Sequence, residues 1–298
     1  MADTNPTLSS GILELRLSPS IGGAISNFAW NGDGGPRAIL RESHTPLENV
    51  LDAACFPLVP FVNRIRGGCF SFRGRQVRLS PNMAGDPSPL HGQGWTSPWR
   101  VDSSGDVEAV LSYEHRPGEW PWRYRTEQLF RLEDNALHLR LTCRNVSAEP
   151  MPCGLGFHPY FPCGADTRIQ TEVDEVWTVD KDVLPAARMP AEDRYAIGDD
   201  PVCARGLDNG FGGWSGRTIL SDVNWPYQIE LSSPQARYFQ LYSPENGGIF
   251  VAEPVTHANA ALNEPEEDWA RLGIRILEPG EEMALDARIA VEPRGSLG

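Results

Sequence analysis

Residues 124–144 read YRTEQLFRL, then EDN, then ALHLRLTCR. The second run alternates without a break: Leu137, Leu139 and Leu141 fall on one side, His138, Arg140 and Thr142 on the other. A period of two belongs to an extended chain with one buried and one wetted face. Glu133, Asp134 and Asn135 supply a polar turn. The stretch is therefore read as an antiparallel hairpin, with His138 on its solvent side.

The same signature recurs on both sides of it. Residues 11–17 (GILELRL) alternate, and residues 69–72 and 75–79 flank an Arg73-Gly74 turn. Residues 99–101 and 107–113 form a further hairpin pattern, and strands are expected at 227–231, 237–242, 249–253, 273–277 and 283–291. In the last of these Met283, Leu285, Ala287, Ile289 and Val291 share a face. Helical patterning is confined to a short turn in 264–272 (EPEEDWARL), and 26 prolines and 29 glycines punctuate the chain. An all-β sandwich or barrel follows. No repeat or linker divides it, so one domain over 1–298 is expected, with 1–7 and 294–298 loose. Residues 180–208 are the least patterned and are read as a long surface excursion.

The 298 residues are 40% hydrophobic and 22% charged, enough to bury a large core without disulfides or metals. A formal net charge of −14 disfavours nucleic acid and anionic membranes as partners. No window is long and apolar enough to span a membrane, and the opening MADTNP lacks a signal-peptide pattern. The expected compartment is the cytoplasm. Cys55, Cys69, Cys143, Cys153, Cys163 and Cys203 form no C-x-x-C pair, and all are expected to be reduced thiols. A Cys153–Cys163 bridge is the less favoured alternative.

Residues 154–163 read GLGFHPYFPC, an apolar run holding one ionisable group, His158, directly before Pro159. A residue before proline is pushed into an extended conformation. Phe250 to Pro254 (FVAEP) repeats the device: an apolar strand ends in Glu253, again before a proline. One acid and one base, each set in apolar surroundings, suggest a proton-transfer pair. A core histidine bound to backbone is the plainer alternative for His158.

Other polar residues gather in short segments. Asn63-Arg64-Ile65-Arg66-Gly67-Gly68 follows an apolar run and, if extended, sets Arg64 and Arg66 on one face; a surface arginine pair is the alternative. His91 stands in Leu90-His91-Gly92-Gln93-Gly94-Trp95, which reads equally as an ordinary turn. Asp208 opens the glycine-rich DNGFGGW, where an Asx-turn is the alternative. Trp120-Pro121-Trp122 supplies aromatic area or a core cluster, and His257 follows Glu253 by four residues. No nucleophile elbow, P-loop, dinucleotide fingerprint or HExxH motif occurs; Gly32-Asp33-Gly34-Gly35-Pro36 matches a phosphate loop only in its glycines. Forked charged groups beside aromatic faces are suited to gripping a sugar.

Taken in order, these segments resemble the aldose 1-epimerases, or galactose mutarotases. Asn63-Arg64-Ile65-Arg66-Gly67 resembles that family's N-R-I-x-x-G segment and Leu90-His91-Gly92 its L-H-G loop. His158-Pro159-Tyr160-Phe161 is similar to its H-x-Y-F, Asp208 with Phe211 to its D-x-x-F, and Glu253-Pro254 with Asn263 to its E-P…N segment. Any one is weak; five in order are specific. Val255 departs from the glutamine that often follows the Glu-Pro pair, and the Trp120–Trp122 segment is not part of the galactose enzymes' pattern.

The resemblance implies a large antiparallel β-sandwich of the galactose mutarotase type with few short helices, a cleft across one face, and a cofactor-free enzyme with no metal. It implies a single monosaccharide as partner, bound by a monomer or homodimer. It assigns Glu253 as the base at the C1 hydroxyl and His158 as the acid at the ring oxygen. Arg64 and His91, with Asn63, would hold the ring oxygen and its neighbours, and Asp208 would accept hydroxyl hydrogens. Attraction between the charged forms is expected to raise the His and lower the Glu pKa. Sugar-phosphate mutarotases of this fold continue the L-H-G loop to an arginine whose place is held here by Trp95, which can stack on a sugar, so an unphosphorylated aldose is expected. A hexose-6-phosphate mutarotase, a non-catalytic sugar binder and a two-carboxylate glycosidase remain the alternatives.

Overall fold

The computed structural model describes residues 5–32 and 35–294. The Asp33-Gly34 part of the glycine-rich loop, and residues 1–4 and 295–298 of the tails, lie outside them. Within the described residues the chain is all strand and turn: the helices are 3-10 turns of three residues each, and the one expected in 264–272 is Glu266–Asp268.

The 124–144 hairpin forms as read. Tyr124–Glu133 pairs antiparallel with Ala136–Asn145 in one unbroken register. The turn is shorter than expected: Glu133 pairs with Ala136, leaving Asp134 and Asn135 at φ 49° and 59°. Two left-handed residues match the right-handed twist of the flanking strands, and Asp and Asn tolerate that region. Leu137, Leu139 and Leu141 are buried. His138 is half-buried rather than fully solvated, between Arg131 and Arg288 of the flanking strands.

This hairpin lies inside a nine-stranded antiparallel sheet running from Gly198–Pro201 at one edge to Arg100–Ser104 at the other. The 12-residue strand Glu282–Pro293 joins its halves, with Met283, Leu285, Ala287, Ile289 and Val291 all buried. A second sheet, of eight strands, runs Pro185–Pro190, Glu175–Val179, Leu207–Gly212, Tyr238–Ser243, Ile249–Val255, Gly156–Phe157, Pro57–Leu58, and Tyr160–Pro162 also pairs with Ile249–Val255. One continuous core lies between them: Leu137, Leu141 and Ile289 belong to the same cluster as Phe157, Phe211, Phe239 and Phe250. This is the sandwich, and its apolar content is the main stabilising term. Trp120 and Trp122 are buried in it among Phe61, Phe70, Phe72 and Trp269. They are the core cluster of the plainer reading.

Three expectations are corrected. Residues 180–208 are not a patternless excursion, because Pro185–Pro190 and Gly198–Pro201 are edge strands of the two sheets. Both are largely exposed, so neither alternates in hydrophobicity. Pro6 and Thr7 are not loose: Pro6 accepts from the Leu17 N–H at 2.9 Å and Thr7 pairs with Arg16. The cysteines are not all free, since Cys163 is bonded to Cys203, 40 residues away; Cys55, Cys69, Cys143 and Cys153 are free thiols. No described helix is long and apolar enough to cross a membrane.

Candidate active site

The eight-stranded sheet covers the core with one face and presents the other to a cleft of about 320 Å³. Alternation sorts the residues. In Ile249–Val255, Phe250 and Ala252 enter the core, and Val251, Glu253 and Val255 take the opposite face. In Tyr238–Ser243, Phe239 and Leu241 face the core while Tyr242 lines the cleft and Gln240 binds Asp208 beside it. In the HPYF segment Phe157 and Phe161 enter the core, and His158 and Tyr160 line the cleft.

The structure brings His158 and Glu253 together at 3.4 Å between Nε2 and Oε1. Both are buried, and His158 Nδ1 and Glu253 Oε2 have no hydrogen-bond partner among the described residues. Phe56 stacks on the imidazole with ring centres 4.4 Å apart. Burial sets the titration of the pair. It lowers His158 to about 3, with Arg41 adding to the effect. It pushes the Glu253 carboxyl well above its ordinary value, with Asp208 adding and Arg64 opposing. The expected opposite shifts do not occur, because taking two charges out of water outweighs their attraction here. Both shifts favour a neutral imidazole beside a protonated carboxyl over the ion pair.

Asn63 and His91 sit at the end of the cleft in left-handed backbone, φ 53° and 59°. Left-handed backbone is unfavourable for residues other than glycine, though least so for Asn, Asp and His, and is found more often at working sites. The strain is held by a reciprocal clasp: the Asn63 N–H donates to His91 Nδ1 at 3.1 Å and the His91 N–H donates to Asn63 O at 3.0 Å. Accepting at Nδ1 fixes the tautomer, so Nε2 carries the hydrogen, and burial keeps the ring neutral. Gly92, at φ 73°, lets the loop press on its neighbour, since a Cβ there would collide with the Val59 carbonyl.

Arg64 is 8% exposed, its Nε 2.8 Å from Asp86 Oδ2 and its terminal nitrogen 3.9 Å from Asp208 Oδ2. Asp208 lies within the strand Leu207–Gly212, not in a loop or an Asx-turn. Its Oδ1 accepts from Gln240 at 2.7 Å. Burial raises its carboxyl, while Arg64 and Gln240 pull it back.

Other residues fall outside the cleft. Arg66 does not share a face with Arg64, because the chain turns into a 3-10 turn at Arg66–Gly68. Its guanidinium instead donates to Pro185 O at 3.1 Å. Asn263 accepts from the Arg66 N–H at 2.7 Å and donates to Arg66 O and Cys69 O, so it braces the segment. His257 is a backbone clamp: Nε2 accepts from the Val62 N–H at 2.9 Å and Nδ1 meets Ala258 O at 2.8 Å. Trp95 borders the cleft but is 2% exposed, with Phe56 stacked on it at 5.4 Å and its N–H bound to Leu90 O at 3.0 Å. It offers no open face for a sugar; the partly exposed aromatic ring of the cleft is Tyr242.

Several participants escaped the sequence reading. Tyr160 and Tyr242 were findable from alternation along their strands. Asp86 and Arg41 carry no local signal. Arg41 lies 3.7 Å over the Tyr160 ring and donates to the carbonyls of Leu51 and Ala53, fixing the wall behind His158. Among the described residues no three His, Cys, Asp or Glu side chains are grouped to hold a metal ion.

A two-sheet supersandwich with an imidazole–carboxylate pair under an Arg/His/Asp rim defines a galactose mutarotase-like protein. The aldose 1-epimerase family model matches residues 17–290, and the chain belongs to that family. It is 35% identical over 297 residues to the uncharacterized protein YphB of Escherichia coli K12, covering 96% of this chain and 98% of that one. A crystal structure of a putative aldose 1-epimerase from Escherichia coli K12 superposes with a TM-score of 0.89 at 33% identity, covering 98% and 99% of the two chains. A galactose mutarotase-like protein from Clostridium acetobutylicum superposes at 0.83 with 18% identity over 97% and 95%, a likeness of fold.

Proposed function

We propose that this protein is an aldose 1-epimerase that interconverts the α and β anomers of a free aldose by opening and closing its ring. The observation that carries the reading is the single-proton pair of His158 and Glu253, 3.4 Å apart at the cleft floor. Anomer exchange needs one base and one acid at once. As the sugar binds, the pair's proton passes from Glu253 to His158; Glu253 then takes the proton of the C1 hydroxyl as His158 delivers one to the ring oxygen, and the C1–O5 bond breaks. The open aldehyde turns about C1–C2 and the ring closes on its other face, with the proton transfers reversed. A pair that keeps one proton always offers both functions, so each turnover returns it ready for the next. The neutral His91 and the cationic Arg64 supply donors for the ring oxygen and adjacent hydroxyls, and Asp208 supplies an acceptor.

Sugars mutarotate unaided in water, so proton transfer worth roughly 10²–10⁴-fold suffices for most of the acceleration. The reading requires no cofactor. The free-sugar preference is supported by Arg66 lying outside the cleft and Trp95 standing in the phosphate arginine's place. The test is anomeric exchange followed by NMR on glucose, galactose and arabinose. Catalysed exchange above the spontaneous rate is expected on at least one, and its absence from all free and phosphorylated aldoses overturns the proposal.

A further inference from the structure

The outermost strands of both sheets, on one flank of the sandwich, come from a single stretch of chain. Arg168–Thr171 and Gly198–Pro201 end the nine-stranded sheet, and Glu175–Val179 and Pro185–Pro190 end the eight-stranded one. All four lie between Cys163 and Cys203, whose bond closes them into a loop with a sequence separation of 40 and Cα atoms 5.7 Å apart. The sheets hold this loop unevenly. Arg168–Thr171 is paired along its length with Arg217–Ser221, but Glu175–Val179 meets Leu207–Gly212 only where Glu175 stands opposite Gly212 and Val176 opposite Phe211. Among the described residues, Pro185–Pro190 and Gly198–Pro201 pair only with strands of the same loop.

Both ends of the loop lead into the cleft. Cys163 follows the Tyr160–Pro162 strand, five residues after His158, and Cys203 precedes Asp208 by five. The His158 end is held from outside the loop: Tyr160–Pro162 is laddered to Ile249–Val255, and the Cys163 N–H donates to Gly248 O at 3.0 Å. The Asp208 end depends on the loop itself. Ala204 and Gly206 pass through left-handed backbone, φ 59° and 61°, and the Arg205 guanidinium donates back to Ala196 O at 2.8 Å. The outer side of the strand at Asp208 is tied through the neighbouring Asn209, whose amide donates to Trp177 O at 2.9 Å. Cys163 and Cys203 are half-buried, whereas Cys55, Cys143 and Cys153 are buried. An attacking thiolate therefore has access to this bond in the folded protein. Opening it widens the conformations available to the loop, and the least-laddered end feels this first.

We propose that the Cys163–Cys203 bond is a redox switch on sugar affinity, which holds Asp208 in place while closed and lets it move when a dithiol opens it. This rests on the epimerase reading of the cleft, whose regulation it names. The step is thiol–disulfide exchange. One thiolate of the dithiol attacks a sulfur of the bond, a mixed disulfide forms, and the second thiolate of the dithiol displaces it. The dithiol loses two electrons and two protons and closes to its own disulfide, and Cys163 and Cys203 take them up as two thiols. A small disulfide reverses the step by the same exchange. His158 and Glu253 stand on paired strands outside the loop, so the proton transfer itself is untouched. The effect falls on binding, through the acceptor that Asp208 offers to ring hydroxyls.

The test uses the full chain treated with a small disulfide or with a dithiol, alongside Cys163→Ser, Cys203→Ser and, as a control, Cys69→Ser, the remaining partly exposed thiol. Thiols counted after unfolding should number four in the oxidised protein and six in the reduced one. Anomeric exchange and titration with glucose, galactose and arabinose should show KM and Kd rising about tenfold on reduction, with kcat within about threefold, and both recovering on re-oxidation. Cys163→Ser and Cys203→Ser should match the reduced protein and ignore the dithiol, while Cys69→Ser responds as the wild type does. Amide hydrogen exchange should quicken across 164–210 and not in 249–255. Six thiols in both treatments, or KM and Kd unchanged on opening, overturns the proposal. So does a kcat that falls as 249–255 loosens with the rest, which would make the bond a general staple. Where a serine variant does not fold, the reduced wild type decides. Failure of the epimerase reading has a different signature: no aldose exchanges in either state, while hydrogen exchange at 204–210 still rises on reduction if the switch is present and stays unchanged if it is not.

Discussion

His158 and Glu253 are cross-strand neighbours. Gly156 stands opposite Val255 and Tyr160 opposite Val251, a register that sets His158 against Glu253. The His158 N–H turns away to Phe56 O at 3.0 Å, so the two face each other as a non-hydrogen-bonded pair, the kind in which side chains come closest. Pro159 and Pro254 have no N–H to donate to the ladder between them. Contrary to the sequence reading the strand does not end at Glu253; it runs on to Val255 with the carboxylate inside it. The pair is thus set on the sheet itself, on a part of the fold held by both neighbours.

Glu253→Gln keeps the shape and removes the base. Turnover is expected to fall by about a hundredfold or more while sugar binding survives. His158→Asn should do the same, and EDTA should change neither the wild type nor the variants. Anomeric exchange with a parallel sugar titration measures this, and near-wild-type turnover in Glu253→Gln would exclude it as the base.

The pH profile follows from the buried pair. Catalysis needs one proton on it. Acid adds a second only as pH falls towards the His158 value of about 3, and base removes the first only above the raised Glu253 value. Lowering the pH from neutrality should therefore leave kcat/KM flat until it approaches about 3. A sigmoidal loss centred near 6.5, the ordinary imidazole value, would show that His158 is solvated in the working enzyme.

Asp86 is expected to act by positioning Arg64. Asp86→Asn retains the shape but weakens the charged bond to Nε, now 2.8 Å. KM should rise by about tenfold with kcat within a few-fold, since a bond to a charged group is worth roughly 1.5–3 kcal/mol. A lowered kcat with unchanged KM would give Asp86 a different role.

His257→Ala tests a structural assignment. It strands the buried Val62 N–H and opens a cavity, at a cost of about 2–4 kcal/mol. Thermal denaturation should register a clear fall in Tm. A variant as stable as the wild type but inactive would place His257 in the chemistry instead.

Arg66→Ala should leave the ratio of glucose to glucose 6-phosphate turnover unchanged, because the guanidinium lies against Pro185 O, outside the cleft. A selective loss on the phosphate would show that the residue swings inward when substrate binds.

How much of this was legible depended on whether the signal was local. The hairpins at 69–79 and 124–144 follow from alternation and turn residues a few positions apart. Pro185–Pro190 and Gly198–Pro201 were missed because an edge strand with little burial has no apolar face to write into the sequence. The HPYF and EP segments marked His158 and Glu253 as candidates through their apolar settings. Asp86 was invisible, since nothing near it distinguishes a carboxylate that meets Arg64 from one that meets water.

The sequence by itself determined the class of fold, the segments that carry polar chemistry, and the family they resemble, because side-chain period and motif order are properties of the chain. Only the tertiary structure decided which of those groups share a cleft. Arg64 turns in and Arg66 turns out within one motif, His257 becomes a backbone clamp, Trp95 loses its open face to Phe56, and Cys163 finds Cys203. It also reversed the expected titration of His158 and Glu253. Attraction between two charges can be argued from residue types, but the cost of removing both from water depends on everything packed around them, and that is fixed only when the sheets close.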